Sequence, residues 1–479
     1  MANRSSRKLT PNSPGDNQPI VGVIKAVSPE TLSRQQKGSK LSSIIAIAIL
    51  LTGAGLVFSF TWFALLLIFN PQQVVWLNSV LPDWAQIPLN HSEHPQTLWQ
   101  IRDSLSHQKK IVGDTMALDA DDNSFLLPVL RQRPNCQSDC QEVVELRVYQ
   151  VEDLSYKAQP EKFYRLTDQI SITGVEESFA LAPITDTTSE HQEASNLLPL
   201  SAIQRFEGKT PGEGVWFYLQ GKRQQGTHAI AYGHILYYNP ERANLQQMLS
   251  WTSPNAQLPK WQQVTGDSDQ ELVIDQTVGL EPQLQVYQVK NVKLFLKPLQ
   301  LEPITLKTAA IKDYAYQNAL VIARGGLWTP AFEWLQFIRK QRQGVIPAAA
   351  QAQIDLIRLH AQLSKTQADK TWASPSQQVL ADLIDGRWQK ALQVFEASPQ
   401  NAQEIANLLK SDKGRLWNRV TAALKVNPYR QDVKTWGALI LAVQQGEDRA
   451  NSWLREQPKT QSATIVNVQN LLKQLQGGE

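Results

Sequence analysis

Three patterns of apolar and polar positions follow one another along the chain. Residues 41–82 contain no charged residue, and 44–69 (IIAIAILLTGAGLVFSFTWFALLLIF) is apolar with no polar face. At about 1.5 Å per residue such a run covers a hydrocarbon core of about 30 Å, so the expectation is one transmembrane helix over 41–70. From 96 to 305 short runs alternate with period two: VVELRVYQV (143–151), FYRLTDQISITGV (163–175), GVWFYLQGKR (214–223), HAIAYGHILYYN (228–239), ELVIDQTV (271–278) and LQVYQVKNVKLFLKPL (284–299). Their Val, Ile, Tyr and Phe content, bounded by Gly, Pro, Asn and Asp, predicts strands. With no helical runs between them, they predict an antiparallel β domain, sandwich- or barrel-like. TLWQIRDSLSHQ (97–108) reads as a short amphipathic piece, 185–196 as a polar loop, and QGKRQQGTH as a hairpin with a loop of several residues. From 306 to 475 the period becomes 3.6, with Ala, Leu and Gln dominant and turns at Gly and Pro, which predicts an α-helical domain.

Composition and charge alter the two ends of this picture. Residues 1–40 are rich in Ser, Pro, Asn and Gln and carry few large apolar groups, which predicts a disordered basic segment. Seven Lys/Arg precede the apolar run, against Asp16 and Glu30, and the first Lys or Arg after it is Arg102. That asymmetry predicts a cytoplasmic N-terminus and an exported bulk, in the bacterial periplasm or, in a photosynthetic bacterium, the thylakoid lumen. A cleaved signal peptide would be shorter and end in small residues, whereas this run ends LLLIFNP, so it reads as an uncleaved signal anchor. A juxtamembrane linker over 71–95 follows, with Trp76 and Trp84 at the outer interface. Hydrophobic content of 42% and charge of 19% permit a core through most of the chain. The overall charge of +3 conceals a basic C-terminal third, with 21 basic and 14 acidic residues over 311–479, and an acidic middle.

Candidate chemistry is sparse. Cys136 and Cys140, in RPNCQSDCQ, stand in a turn-like stretch between strand-like runs. In an oxidising compartment this spacing closes a small disulfide loop. Free thiols, or a redox or metal role, are the alternatives, and zinc would need two more ligands than the sequence places nearby. His228 and His234 share a strand face, but six residues separate them by roughly 20 Å. Asp119, Asp121 and Asn123 resemble the first half of a calcium loop, yet Ser124 and Leu130 occupy the positions that need Gly and an acid. GDSDQE (266–271) reads as a solvated turn, and His91, Glu93 and His94 as linker. EGKT (207–210) has Ile203 where a phosphate loop needs Gly. No GxSxG, HExxH or GxGxxG occurs, and the reading assigns no catalytic, cofactor-binding or metal-ligating residue and no cofactor.

The helical third carries a repeat. GGLWTPAFEWLQF (325–337), DGRWQKALQVFEASP (385–399), KGRLWNRVTAALKVNP (413–428) and QGEDRANSWLREQP (445–458) each join a glycine turn to an apolar 3–4 spacing. The turn glycines Gly326, Gly386, Gly414 and Gly446 fit a unit near 30 residues, with a degenerate copy between the first two. DGRWQKALQVFEASP resembles the second helix of a tetratricopeptide repeat, with Gly386 at the turn, Ala391 and Phe395 at packing positions, and Pro399 closing the unit. Residues 427–458 resemble a whole repeat, with Trp436 and Leu439 on its first helix, Gly446 at the turn and Ala450 on its second. The resemblance spans about 310–475. It implies a stacked solenoid in which Trp328, Trp388, Trp417 and Trp453 fill grooves, with a concave face for peptides or partner proteins; a generic α-solenoid is the alternative. Lys410, Lys413, Arg415, Arg419, Lys425, Arg430 and Lys434, against Asp412 and Asp432, predict a basic patch there. In texture the rest of the chain is similar to bacterial single-pass membrane proteins, such as envelope or thylakoid proteins of photosynthetic bacteria.

The expected architecture is therefore multidomain: a single transmembrane helix, a mainly antiparallel β domain over 96–305, and a TPR-like α-helical solenoid over 306–475. The expected function is that of a membrane-anchored, non-enzymatic scaffold or assembly factor, binding a protein partner on the exported side through its helical repeats. An acidic protein surface, anionic lipid or envelope polymer suits the basic patch better than nucleic acid does. One alternative is an envelope glycan- or peptidoglycan-binding module acting through the β domain. Exposed aromatic pairs, Trp216 with Tyr218 or Tyr232 with Tyr238, would favour it. The other is an enzyme with no recognisable motif.

Overall fold

The computed structural model describes residues 94–476 except 135, 137–139, 153–160, 186–195, 267–268, 293–298 and 342–345, together with 53, 55 and 58–62. The chain divides into two compact units, Met1–Leu89 and Asn90–Glu479. In the first, the described residues are helical. Among the described residues no helix is long and apolar enough to cross a membrane, which corrects the expectation of a transmembrane helix. A span needs about 20 consecutive residues, and within 41–70 only 53, 55 and 58–62 are described. The rest of 41–70, all of 1–40, nearly all of 71–95 and most of the 185–196 stretch lie outside the described residues.

The second unit opens on α1 (Leu98–His107), started by a capping box between Thr97 and Gln100. A first sheet contains β1 (Ile111–Val112), β2 (Met116–Ala117), β3 (Ser124–Gln132), β4 (Gln141–Glu152) and β5 (Phe163–Ser171), in the order β1-β3-β4-β5 with β2 also on β3. The pair β6 (Val175–Glu176) and β7 (Leu197–Leu198) flanks a short helix, α2 (Glu177–Leu181). A second sheet has the order β11-β10-β9-β8, from β8 (Ala202–Arg205), β9 (Val215–Gln225), β10 (His228–Asn239) and β11 (Asn244–Ser253). The third runs in sequence order: β12 (Lys260–Gln262), β13 (Glu271–Asp275), β14 (Leu284–Asn291) and β15 (Leu299–Pro303). Every described pairing is antiparallel.

Strand alternation explains how these sheets stack. On β9, Val215, Phe217 and Leu219 point into a core shared with Leu126, Leu146 and Val148 of the first sheet. Trp216 and Tyr218 point the other way, into a core with Leu272 and Ile274 of the third. The far face of the first sheet is covered by Ile101 and Leu105 of α1, and that of the third by helices. The β region is thus three stacked sheets, and the single sandwich or barrel of the sequence reading is corrected. The middle sheet is apolar on both faces because it is buried on both. Gly233 of β10 sits where a Cβ would lie 1.7 Å from the Leu219 carbonyl oxygen, so close approach of β9 requires glycine there.

Other differences have local causes. The β9–β10 hairpin turns through Gly226 and Thr227 alone, since Gln225 pairs with His228 and Gly226 supplies a φ of 60°. The polar QGKRQQ therefore belongs to β9 and not to a longer loop. Sequence reading passed over β3, which contains Pro128. That residue falls between the short strands β1 and β2 on the same edge, where its missing N–H breaks no ladder bond. It also passed over β11, two of whose hydroxyls are satisfied inside: Ser250 meets His234 Nδ1 at 3.0 Å and Thr252 donates to Ala180 O at 2.8 Å.

The C-terminal region is helical: α3 (Tyr314–Arg324), α4 (Trp328–Gln341), α5 (Ala348–Ala368), α6 (Pro375–Asp385), α7 (Trp388–Glu396), α8 (Pro399–Ser411), α9 (Arg415–Val426), α10 (Gln431–Gln445), α11 (Glu447–Glu456) and α12 (Ser462–Gln476). α9 packs back on the α3–α4 turn, close enough that a Cβ on Gly325 would lie 2.4 Å from that of Ala422. An open stack touches only sequence neighbours, whereas this helical region also makes a contact back to its own first hairpin. Polar contacts join it to the third sheet and the segments flanking its strands. Leu284 N donates to His360 Nε2 at 2.9 Å, and Gln353 Nε2 donates to the Thr305 and Thr308 carbonyls, both at 2.7 Å. Arg358 Nη2 donates to Val264 O at 2.7 Å.

Candidate functional site

The residues named for repeat packing gather in the helical interior. Trp388, Ala391, Phe395, Trp436 and Ala450 are buried in one cluster with Leu439. Trp436 Nε1 donates to Trp388 O at 2.9 Å and its ring stands edge-on to Phe395. Trp417 and Trp453 also pair edge-on. Trp328 lies in a different cluster, stacked on His360 with ring centroids 4.0 Å apart. The four turn glycines have φ of 86°, 83°, 90° and 94°, values that favour glycine. At Gly386 this makes the C-cap of α6, and a Cβ would also press on Pro330 at 2.6 Å.

The basic patch divides. Arg419 is 2% exposed and forms a two-toothed ion pair with Glu281, in the turn between β13 and β14. Lys434 is buried and donates from Nζ to Pro458 O at 2.6 Å, and Arg430 is paired with Asp432 at 2.6 Å. Arg419 and Lys434 are therefore corrected from surface cations to internal connectors, while the half-exposed Arg430 is neutralised locally by Asp432. Lys410, Lys413, Arg415 and Lys425 remain exposed, at the end of α8, in the turn, and along α9. The nearby acids are turned to other work. Asp412 Oδ2 accepts from Gly414 N at 3.0 Å and Leu416 N at 3.1 Å, with burial pushing its carboxyl up from the ordinary value. Glu404 accepts from the Ser374 and Ser376 hydroxyls. The α8–α9 corner therefore presents positive charge while its own acids face backbone or hydroxyl donors.

Cys136 and Cys140 form a disulfide in the loop between β3 and β4, with Cα atoms 5.5 Å apart. Arg133 N donates to Cys140 O at 2.7 Å, closing the same loop. His234 is buried, between Ser250 Oγ and the Thr173 carbonyl, and burial lowers its pKa. Asp119 caps its own turn, accepting from Asn123 N and Ser124 Oγ, and Lys162 reaches the carbonyls of Asp121 and Asp122. Among the described residues no group of three His, Cys, Asp or Glu is placed to hold a metal. Glu271 corrects the solvated-turn reading of 266–271: it is buried and accepts from Val264 N at 2.8 Å and from Thr265. His91 and Glu93 lie outside the described residues. Trp216, Tyr218, Tyr232 and Tyr238 are all buried, so none offers the exposed ring face that sugar stacking needs.

Sequence reading missed the polar connectors, because a buried pair such as Arg419 and Glu281 is 138 residues apart and leaves no local pattern. It also missed Asp385, buried under Thr329, Ser364 and Arg387 at the α6 terminus. Two carboxylates, Asp382 and Asp385, in the otherwise apolar run VLADLID were the available signal. No protein-family model matches this chain, and no curated protein matches it in sequence.

Proposed function

We propose that this chain is a non-enzymatic scaffold or assembly factor that holds an acidic protein partner at the α8–α9 corner of its helical region, in an oxidising compartment. The observation that carries the reading is charge segregation at that corner. Lys410, Lys413, Arg415 and Lys425 are exposed, while Asp412 and Glu404, the only acids within 399–430, are engaged with donors of the fold. Such a face steers an acidic partner and sets its orientation. Rigidity supports the same reading. The helices are tied to the third sheet by His360, Gln353 and the Arg419–Glu281 pair, so the corner is presented on a fixed body. The Cys136–Cys140 disulfide supports the compartment, since such bonds persist where the surroundings are oxidising.

The test compares the full chain with a variant carrying Lys410→Glu, Lys413→Glu, Arg415→Glu and Lys425→Glu as bait for proteins of its own cell. The proposal expects a protein retained by the native chain, released by raised salt, and absent from the variant, while both baits unfold at similar temperatures. Retention of the same proteins by both baits, or of none by the native chain, refutes it.

A further inference from the structure

A cleft of about 1250 Å³ opens where the second and third sheets meet. One wall is β8, the outermost strand of the second sheet. The other is the 256–261 turn leading into β12, the outermost strand of the third. Two sheet edges thus converge on one opening. Its floor is aromatic: Trp261 stands edge-on to Trp216 at 4.9 Å and to Phe206 at 6.0 Å. The Trp261 indole nitrogen is buried and has no hydrogen-bond partner. Two exposed cations line it, Lys260 from the third sheet and Arg205, whose Nη1 donates to Ala117 O at 3.3 Å on the first-sheet side, against the single anion of Glu207.

The pairing of β8 determines what its edge offers. Phe206 N donates to Trp216 O at 3.0 Å, in register with Gln204 opposite Tyr218 and Ala202 opposite Gln220. In an antiparallel ladder hydrogen-bonded and non-bonded pairs alternate, so the N–H and C=O groups of Ile203 and Arg205 point away from β9. An outward row at two-residue spacing is a template for another strand. The Tyr218 hydroxyl donates to Gln204 Oε1 and keeps that side chain with the sheet.

We propose that this cleft binds an extended peptide segment of a partner protein, added to β8 as a further antiparallel or parallel strand. Its alternate side chains divide between the aromatic floor at Phe206 and Trp261, which takes apolar groups, and the rim at Arg205 and Lys260, which takes carboxylates. A cleft above about 1000 Å³ accommodates several residues rather than one small molecule. A glycan fits less well, because Trp216 and Tyr218 are 1% and 8% exposed and offer no ring face for stacking. The site belongs to the sheets and does not depend on the basic corner of the helices.

The experiment pans a phage-displayed library of random heptapeptides against the full chain, then measures the enriched clones on Ile203→Pro and on the Arg205→Glu, Lys260→Glu double variant. Proline at 203 removes one outward N–H and no bond to β9. The expected result is enrichment of alternating apolar and acidic sequences, binding about ten-fold weaker to Ile203→Pro and weaker still to the charge-reversed variant. An enriched peptide made synthetically should slow amide exchange at Ile203 and Arg205, and its copy N-methylated at alternate residues should not bind. The N-methylated copy keeps the test decisive if Ile203→Pro disturbs folding. No enrichment, or binding that is indifferent to both Ile203→Pro and N-methylation, overturns the proposal. Binding of an N-acetylglucosamine tetramer that is lost in the double variant, with no peptide enriched, overturns it in favour of a sugar.

Discussion

Lowering the pH should loosen the joint between the third sheet and the helices through His360. This imidazole is 3% exposed and wedged between chain segments. Nδ1 meets the Leu356 carbonyl at 2.9 Å, so it carries the proton, and Nε2 accepts from Leu284 N. Both nitrogens are occupied in the neutral form, and a second proton on Nε2 would face a donor. Burial depresses the pKa from 6.5 to about 4, while the Leu356 carbonyl and the charge of Asp275 pull weakly the other way. The unfolded chain takes up its proton near the ordinary value and the folded chain only near 4, so between them the unfolded state holds more protons. The stabilisation is fully present above about pH 6.5 and is lost as pH falls towards 4, to the extent of about 3 kcal/mol. The assay is urea unfolding of the native chain and of His360→Gln, followed by tryptophan fluorescence from about pH 7.5 to about pH 4.5. Glutamine can still accept from Leu284 N but does not titrate. The native chain should be the more stable at neutral pH, and its advantage should shrink by up to about 3 kcal/mol on acidification. His234, lowered in the same direction by burial, is retained in both and cancels. An advantage that stays constant across this range would refute the reasoning.

Three further outcomes follow from the packing. Trp436→Ala should cost about 3–5 kcal/mol in chemical unfolding, because it empties a fully buried site and removes the indole bond to Trp388 O. Gly446→Ala should cost about 1–3 kcal/mol, since φ 94° with ψ 160° is backbone open to glycine alone, although no atom crowds the position. Calorimetry would show the effect, and a melting temperature equal to that of the native chain would contradict it. Reductant, or Cys136→Ser, should lower stability by about 2 kcal/mol at most, the loop closed by the disulfide being short. Cys136→Ser itself should then be insensitive to reductant.

Much of the architecture was legible because it rests on local signals. Period-two runs such as HAIAYGHILYYN became β10, and the glycines at 326, 386, 414 and 446 stand between helices, as turn positions should. What failed to show was pairing over distance. Period two says that both faces of β9 are apolar, but not that one meets the first sheet and the other the third. The run of cations from Lys410 to Lys434 looked uniform, because sequence does not show that Arg419 reaches Glu281 or that Lys434 reaches Pro458. Lys410, Lys413, Arg415 and Lys425 stay exposed, a property of the fold and not of the run. Polar β11 was hidden for the same reason, its hydroxyls being matched to His234 and Ala180.

The central claim is that the α8–α9 corner is where a partner sits, and site-specific photo-crosslinking tests it most directly. A photoreactive residue replaces Asn418, exposed on α9 between Arg415 and Lys425, and in a second protein replaces Arg102, exposed on α1. Irradiation in the living cell should yield a protein adduct from position 418 and none from 102, and the adduct should vanish when the four corner cations are reversed. Adducts of equal yield from both positions, or from 102 alone, would contradict the account.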